Sequence, residues 1–203
     1  MLTLHLPLFL APTGPDLLVT PVLQPNVTEV EGVLPGGDAV IWRDWYDHSV
    51  LTPSADGKYT FPAPLGHIPL SLRSSSMLLL HAKPSYTIYE TRREPFELLV
   101  SLAADGSAAG TAYVDDGESV DSAHKLLFLS ATAGHTVSSS TPEGEYTIDQ
   151  PLAQVTVLGV GQAPERVVFG GQETTDFTYE QATQKLVVKG LEGDLNSAWE
   201  LTF

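Results

Sequence analysis

The sequence predicts an all-β protein of two antiparallel β-sandwich-like domains. Three observations lead there. Apolar runs are short, and almost every one ends at a turn residue. Several of them alternate with period two, as in Gln154-Val155-Thr156-Val157. No window of a dozen residues carries a convincing helical stripe. A chain of 203 residues buries a core without disulfides or metals, and its 17 glycines and 15 prolines provide for many turns.

The expected strands fall at 17–23, 39–45, 67–72, 77–81 and 86–90 in the first half. In the second half they fall at 96–103, 111–115, 125–131, 154–160, 166–169 and 185–189. Tyr86-Thr87-Ile88-Tyr89-Glu90 counts among them for its looser alternation. Asp56-Gly57 and Asp105-Gly106 are hairpin signals, because both residue types tolerate positive φ. The tract 138–141 followed by Pro142-Glu143-Gly144-Glu145 reads as a loop. The charged stretch Tyr89-Glu-Thr-Arg-Arg-Glu-Pro95 separates the strand-rich halves. It places the domains at 1–92 and 93–203. The apolar start 1–11 lacks a basic n-region and contains a proline, so it reads as a buried segment or edge strand before a vestigial signal.

Composition excludes several functions. Twenty-five acidic against ten basic side chains give a net charge of −15, which repels phosphate backbones and anionic membranes. Without cysteine there is no thiolate catalysis and no cysteine-ligated zinc. The six histidines show no His-x-His or His-x-x-x-His spacing, no phosphate-cradling glycine loop is present, and no Gly-x-Ser-x-Gly elbow occurs. No cofactor is expected. Asp115-Asp116-Gly117-Glu118-Ser119-Val120-Asp121 concentrates carboxylates, but not at EF-hand spacing, and reads as a solvated turn before a Ca²⁺ site. Trp42, Trp45 and Tyr46 could stack on sugars, though pinning a strand to the core is the plainer role. Asn26-Val27-Thr28 is an N-glycosylation triplet that matters only on the secretory route.

The order of the remaining signals carries a resemblance. Leu17–Leu23 precedes Val33-Leu34-Pro35-Gly36, then Trp45-Tyr46-Asp47 and Pro64-Leu65-Gly66-His67-Ile68-Pro69-Leu70. Leu72-Arg73-Ser74-Ser75-Ser76-Met77, Arg92, Pro95–Val100 and Tyr113-Val114-Asp115-Asp116-Gly117-Glu118-Ser119 follow. The series resembles the C-terminal region of glycoside hydrolase family 31, the α-glucosidase and α-xylosidase family. The resemblance implies a proximal and a distal β-domain that follow a (β/α)8 barrel. The two carboxylates of retaining hydrolysis belong to that barrel, so none is carried over to this chain. One departure is Arg73-Ser74-Ser75-Ser76 where the family commonly has Arg-Gly-Gly-Ser, which removes backbone freedom.

Two functions stand open. In one, the chain is a non-catalytic support for a catalytic barrel partner. In the other, it is a free-standing derivative that binds an apolar small molecule, as a homodimer or through a pocket lined from both halves, and steers its cyclisation or isomerisation by shape. Candidate ligand-binding residues are His67, Arg73, Arg92, Asp47, Tyr89 and Trp45. A parent glycosidase implies the secretory route, and a chain beginning naturally at Met1 the cytoplasm.

Overall fold

The computed structural model describes residues 11–133 and 135–203. The expectation for the apolar start falls on residues that, apart from Ala11, lie outside this range. Almost all regular structure is β, as expected, and the chain divides into two compact units, 1–74 and 75–203. Among the described residues no helix is long and apolar enough to cross a membrane.

The first unit contains β1 (Ala11–Thr13), β2 (Leu17–Val19), β3 (Glu29–Val33), β4 (Trp42–Asp44), β5 (Val50–Leu51), β6 (Lys58–Pro62) and β7 (Leu70–Arg73). One antiparallel sheet runs β1-β2-β7-β4-β5, and β3 pairs with β6 in a separate ribbon. Leu18, Leu34, Trp42, Leu51 and Phe61 form the core of this unit. Burying each such side chain stabilises the fold by about 1.5–3 kcal/mol. Asp56-Gly57 does make a turn, with the Gly57 N–H on the Ser54 carbonyl at 2.8 Å. It does not make the expected hairpin. β5 pairs with β4 and β6 with β3. Pro53 stands two residues beyond β5 and has no N–H to extend a ladder, and Phe61 of β6 is spent in the core opposite Val30.

The second unit contains β8 (Ser76–His81), a one-turn helix α1 (Ile88–Thr91), β9 (Phe96–Ser101), β10 (Ala108–Asp115), β11 (His124–Thr132) and β12 (Thr136–Ser139). It continues with β13 (Leu152–Leu158), β14 (Val167–Phe169), β15 (Gln172–Thr174), β16 (Phe177–Glu180), β17 (Lys185–Val188) and β18 (Trp199–Thr202). Its strands run β15-β14-β18-β12-β11-β10 in one layer and β8-β9-β13-β17-β16 in the other, joined at a single parallel pairing of Ala109 with Ser76. Leu127, Leu129, Val137 and Leu201 from the first layer meet Val100, Val155, Val157, Leu186 and Val188 from the second in one core. The alternation in β11, with Leu127, Leu129 and Ala131 buried, is the period-two signal at work.

Three local expectations change here. Residues 86–90 are not a strand. Thr87 caps α1, its side chain accepting the Glu90 N–H while the Glu90 carboxylate accepts the Thr87 N–H. This reciprocal capping box outweighs the loose alternation, and Tyr86, Ile88 and Tyr89 stay exposed. The tract at 138–141 is partly strand. β12 ends at Ser139 and pairs with both β11 and β18, because Val137 is fully buried. Asp105-Gly106 turns the chain from β9 to β10, yet β8 lies between those strands in the sheet. The charged stretch 89–95 is part of the connection between the paired strands β8 and β9.

Two backbone positions are demanding. Ser75 has φ +68, left-handed backbone where glycine is at ease, so the serine of Arg73-Ser74-Ser75-Ser76 keeps a glycine-like path under strain. At Gly110, a Cβ would strike the Met77 carbonyl oxygen and lie 2.9 Å from the Met77 Cβ, beside the joint between the two layers. We therefore expect Ser75→Gly to raise the urea midpoint, by up to about 1 kcal/mol of stability, since relief of strain exceeds the added chain freedom. Gly110→Ala should cost about 1–3 kcal/mol, whereas Gly161→Ala, where a Cβ would meet open space, should shift the midpoint little. Equal behaviour of the two alanine variants would remove the close approach at β10 as a constraint.

Candidate functional site

β4 and β7 set Trp42 opposite Arg73. Trp42 is buried, and its Nε1–H donates to the Pro35 carbonyl at 2.9 Å. The Arg73 N–H donates to the Asp16 carbonyl at 2.9 Å, and its side chain is half-buried. Together with Pro15, Leu17, Leu18 and Pro35 they line an open cleft of about 310 Å³. Its walls are mainly apolar, and Arg73 is the sole ionised side chain in its lining. No carboxylate is presented there for acid–base work.

Trp45, Asp47 and His67 gather at the other end of these strands. Trp45 is half-buried, with its N–H on the Leu70 carbonyl at 3.1 Å. Asp47 accepts the Ser49 N–H at 2.8 Å and donates its own N–H to Asp44 Oδ1 at 3.1 Å, a tight exposed turn. The His67 ring lies 4.6 Å from the ring of Tyr46, whose hydroxyl donates to the Ile68 carbonyl at 2.9 Å. Arg73 is three residues along β7 from Leu70, about 10 Å by strand geometry, so it does not join this group. Sequence reasoning passed over Arg43, which is 2% exposed and whose guanidinium burial brings down to about 10. Its signal is a cation set directly after the apolar run Val40-Ile41-Trp42.

Arg92 and Tyr89 belong to the second unit. The Arg92 guanidinium donates to the Asp115 backbone carbonyl and to Asp115 Oδ1, the latter at 3.3 Å. Asp115 Oδ1 also accepts the Gly117 N–H at 2.9 Å. Asp116 Oδ1 accepts the N–H groups of Glu118 and Ser119, each at 3.0 Å, and these bonds hold its carboxyl down at about 2. A side chain at Gly117 would run into the guanidinium. The Asp-Asp-Gly-Glu-Ser box is therefore a turn between β10 and β11 locked by Arg92. Tyr89 is exposed, with the Arg93 guanidinium 4.2 Å above its ring and bonded to its hydroxyl. Among the described residues no three His, Asp or Glu side chains are grouped to hold a metal ion. Trp42 and Trp199 are buried and Trp45 is half-buried, which leaves no exposed tryptophan platform for a sugar.

Residues 11–78 match the glycosyl hydrolase family 31 C-terminal domain. Over 194 residues the chain is 42% identical to an α-glucosidase of Schizosaccharomyces pombe, a match covering 93% of this chain and 20% of that protein. The chain belongs to the C-terminal region of glycosyl hydrolase family 31. A glucoamylase 1 of Schwanniomyces occidentalis is 44% identical over 180 residues, again with 88% of this chain and 18% of the relative covered. This family 31 chain thus spans about a fifth of the length of these relatives. Its fold agrees with that of a glucosidase II α subunit at a TM-score of 0.73, with 23% identity, covering 92% of this chain and 22% of the other. A Flavobacterium johnsoniae GH31 dextranase gives 0.72 at 18% identity, covering 93% and 26%.

The free-standing cyclase reading asked for an apolar cavity lined from both halves of the chain. The cleft at Arg73 is lined from the first unit alone, and no relative reported above bears such an activity in its name, so that reading has no support.

The Asp116 turn gives a pH prediction. Its carboxyl titrates lower in the fold than its ordinary 3.8. Its contribution is therefore complete above 3.8 and is lost as pH falls from there towards about 2. Asp116→Ala should lower the urea midpoint at neutral pH and flatten the decline across that window. An acid limb identical to the parent's would show that this carboxylate does not hold the turn.

Proposed function

We propose that this chain is the supporting β-region of an α-glucosidase-like hydrolase, whose reacting carboxylates stand on a barrel-type catalytic polypeptide elsewhere. The observation that carries the reading is the match itself. Nearly the whole chain aligns with an α-glucosidase and with a glucoamylase, yet it accounts for only about a fifth of their length. Chemistry agrees with it. Retaining hydrolysis takes two carboxyl groups about 5 Å apart across the sugar, and the cleft at Arg73 offers a guanidinium between apolar walls instead. The carboxyls of Asp56, Asp105, Asp116 and Asp194 are all held low by turn hydrogen bonds. A general acid needs the opposite shift.

On this reading the Asp-Asp-Gly-Glu-Ser turn, the Trp45-Tyr46-Asp47 loop and the loop bearing His67 are shaped elements of a scaffold. Their polar atoms serve backbone groups, which fixes loop geometry at the cost of reactivity.

The purified chain should show no turnover of an aryl α-glucoside. Placed in the S. pombe α-glucosidase in exchange for the 194 matching residues, it should sustain soluble, active enzyme, while deletion of that region should abolish it. Turnover by the isolated chain that survives further purification would sink the proposal, as would full activity of the deletion.

A further inference from the structure

We propose that Asn26 is the acceptor of an N-linked glycan that covers the exposed apolar segment beside it. Asn26-Val27-Thr28 is the only Asn-x-Ser/Thr triplet in the sequence, since the other asparagine, Asn196, is followed by Ser197-Ala198. The structure adds what the triplet lacks. Asn26 is exposed and stands in a turn at φ +60, a left-handed conformation that asparagine adopts more readily than most residues. The turn lies in the connection between β2 and β3, whose residues 22–26 are all exposed.

The backbone on either side is fixed. The Thr20 N–H donates to the Pro69 carbonyl at 3.0 Å, and the Thr28 carbonyl accepts the Ala63 N–H at 2.7 Å. The ladder of β3 with β6 then starts at Glu29 opposite Pro62. Between these anchors the chain runs Pro21-Val22-Leu23-Gln24-Pro25, with Val22 38% and Leu23 67% exposed. A hydrated oligosaccharide three residues from Leu23 shields this segment from other chains.

The donor is an oligosaccharide carried on a lipid diphosphate. The Asn26 side-chain nitrogen attacks C1 of the first N-acetylhexosamine. The C–N bond forms as the C1–O bond to the diphosphate breaks, the lipid diphosphate leaves with the electron pair, and the amide gives up one proton. The inference rests on passage through the secretory route. It is independent of the support role, because its readout is mass and not activity.

The test expresses the full chain behind a cleavable secretion signal in yeast. Peptide:N-glycosidase should lower the intact mass and convert Asn26 to Asp. Thr28→Ala, which leaves the asparagine backbone untouched, and Asn26→Asp should both lose the sugar completely while keeping the β-type circular dichroism of the parent. Binding of a hydrophobic dye should rise on deglycosylation and fall back in a Leu23→Ser background. A secreted, folded chain with unmodified Asn26 overturns the acceptor assignment. A glycan whose removal leaves dye binding unchanged overturns its covering role.

Discussion

The parallel pairing of β9 with β13 is the constraint on which the second unit depends. Phe96 to Ser101 run alongside Leu152 to Leu158, and two parallel strands cannot be joined by a tight turn. The chain leaving Ser101 must therefore travel away and return. It does so by laying down β10, β11 and β12 in the facing layer. The pair is flanked by β8 on one side and β17 on the other, so its backbone groups are satisfied within the sheet. Its side chains are withdrawn from water with little alternation, as strands in the middle of a sheet should be. The last strand, β18, then fits between β12 and β14, so the layer facing the parallel pair is completed only when Trp199–Thr202 is in place. The two ends of this unit are thus required by the same core.

The acidity of the chain has a structural share. Four turns use the same device, an aspartate whose carboxylate accepts nearby N–H or O–H groups. Asp56 takes the Ser54 hydroxyl, and Asp105 the Ser107 N–H and hydroxyl. Asp116 takes two backbone N–H groups, and Asp194 binds Asn196 and Ser197. In each case the charged form is the better acceptor, which is why all four carboxyls titrate low. A many-stranded fold needs many reversals, and here several are closed by aspartate. Part of the net charge is a by-product of that choice rather than a field built for a ligand.

What could be read from the sequence follows from range. β11 was legible because alternation is local, β13 as a short β-branched run bounded by turn residues although its burial does not alternate, and the Asp-Gly turns because positive φ is a property of one or two residues. Pairing was not legible. Nothing local says that β6 belongs with β3 rather than β5, or that β8 comes between β9 and β10. Those choices are made by Phe61 and by the glycine at 110, across long stretches of chain. The α1 turn was missed although its cue, Thr87 followed three residues later by Glu90, stood in the sequence. The loose alternation of Tyr86-Thr87-Ile88-Tyr89-Glu90 competes with that cap in the sequence, and the cap prevails. Family membership was legible from the order of its motifs. The candidate site residues were legible only as residue types, and the structure distributes them over the Arg73 cleft, the loops around Trp45 and the Arg92 turn. Arg43 was overlooked because a buried cation carries no sequence motif.

The distinction between a support and a catalyst can be argued from Glu97, a carboxyl that the fold pushes above its ordinary range. Burial on β9 raises it, while the charge of Lys189 works against the rise. Its Oε2 accepts a hydrogen bond from the Gln154 amide at 3.2 Å, across the β9–β13 pairing. A carboxyl so placed has one attribute of a general acid, yet its hydrogen-bond neighbour serves the strand. Gln154 supplies a neutral amide in the register of the pairing, not the second carboxylate that a retaining site needs. The cleft near Arg73 is lined by first-unit residues and does not include it. A shifted carboxyl acquires chemistry only when a sugar can reach it and a partner stands across the bond. In this chain polar groups close turns and strands, and that use supports the proposed placement of the reacting pair on other polypeptide.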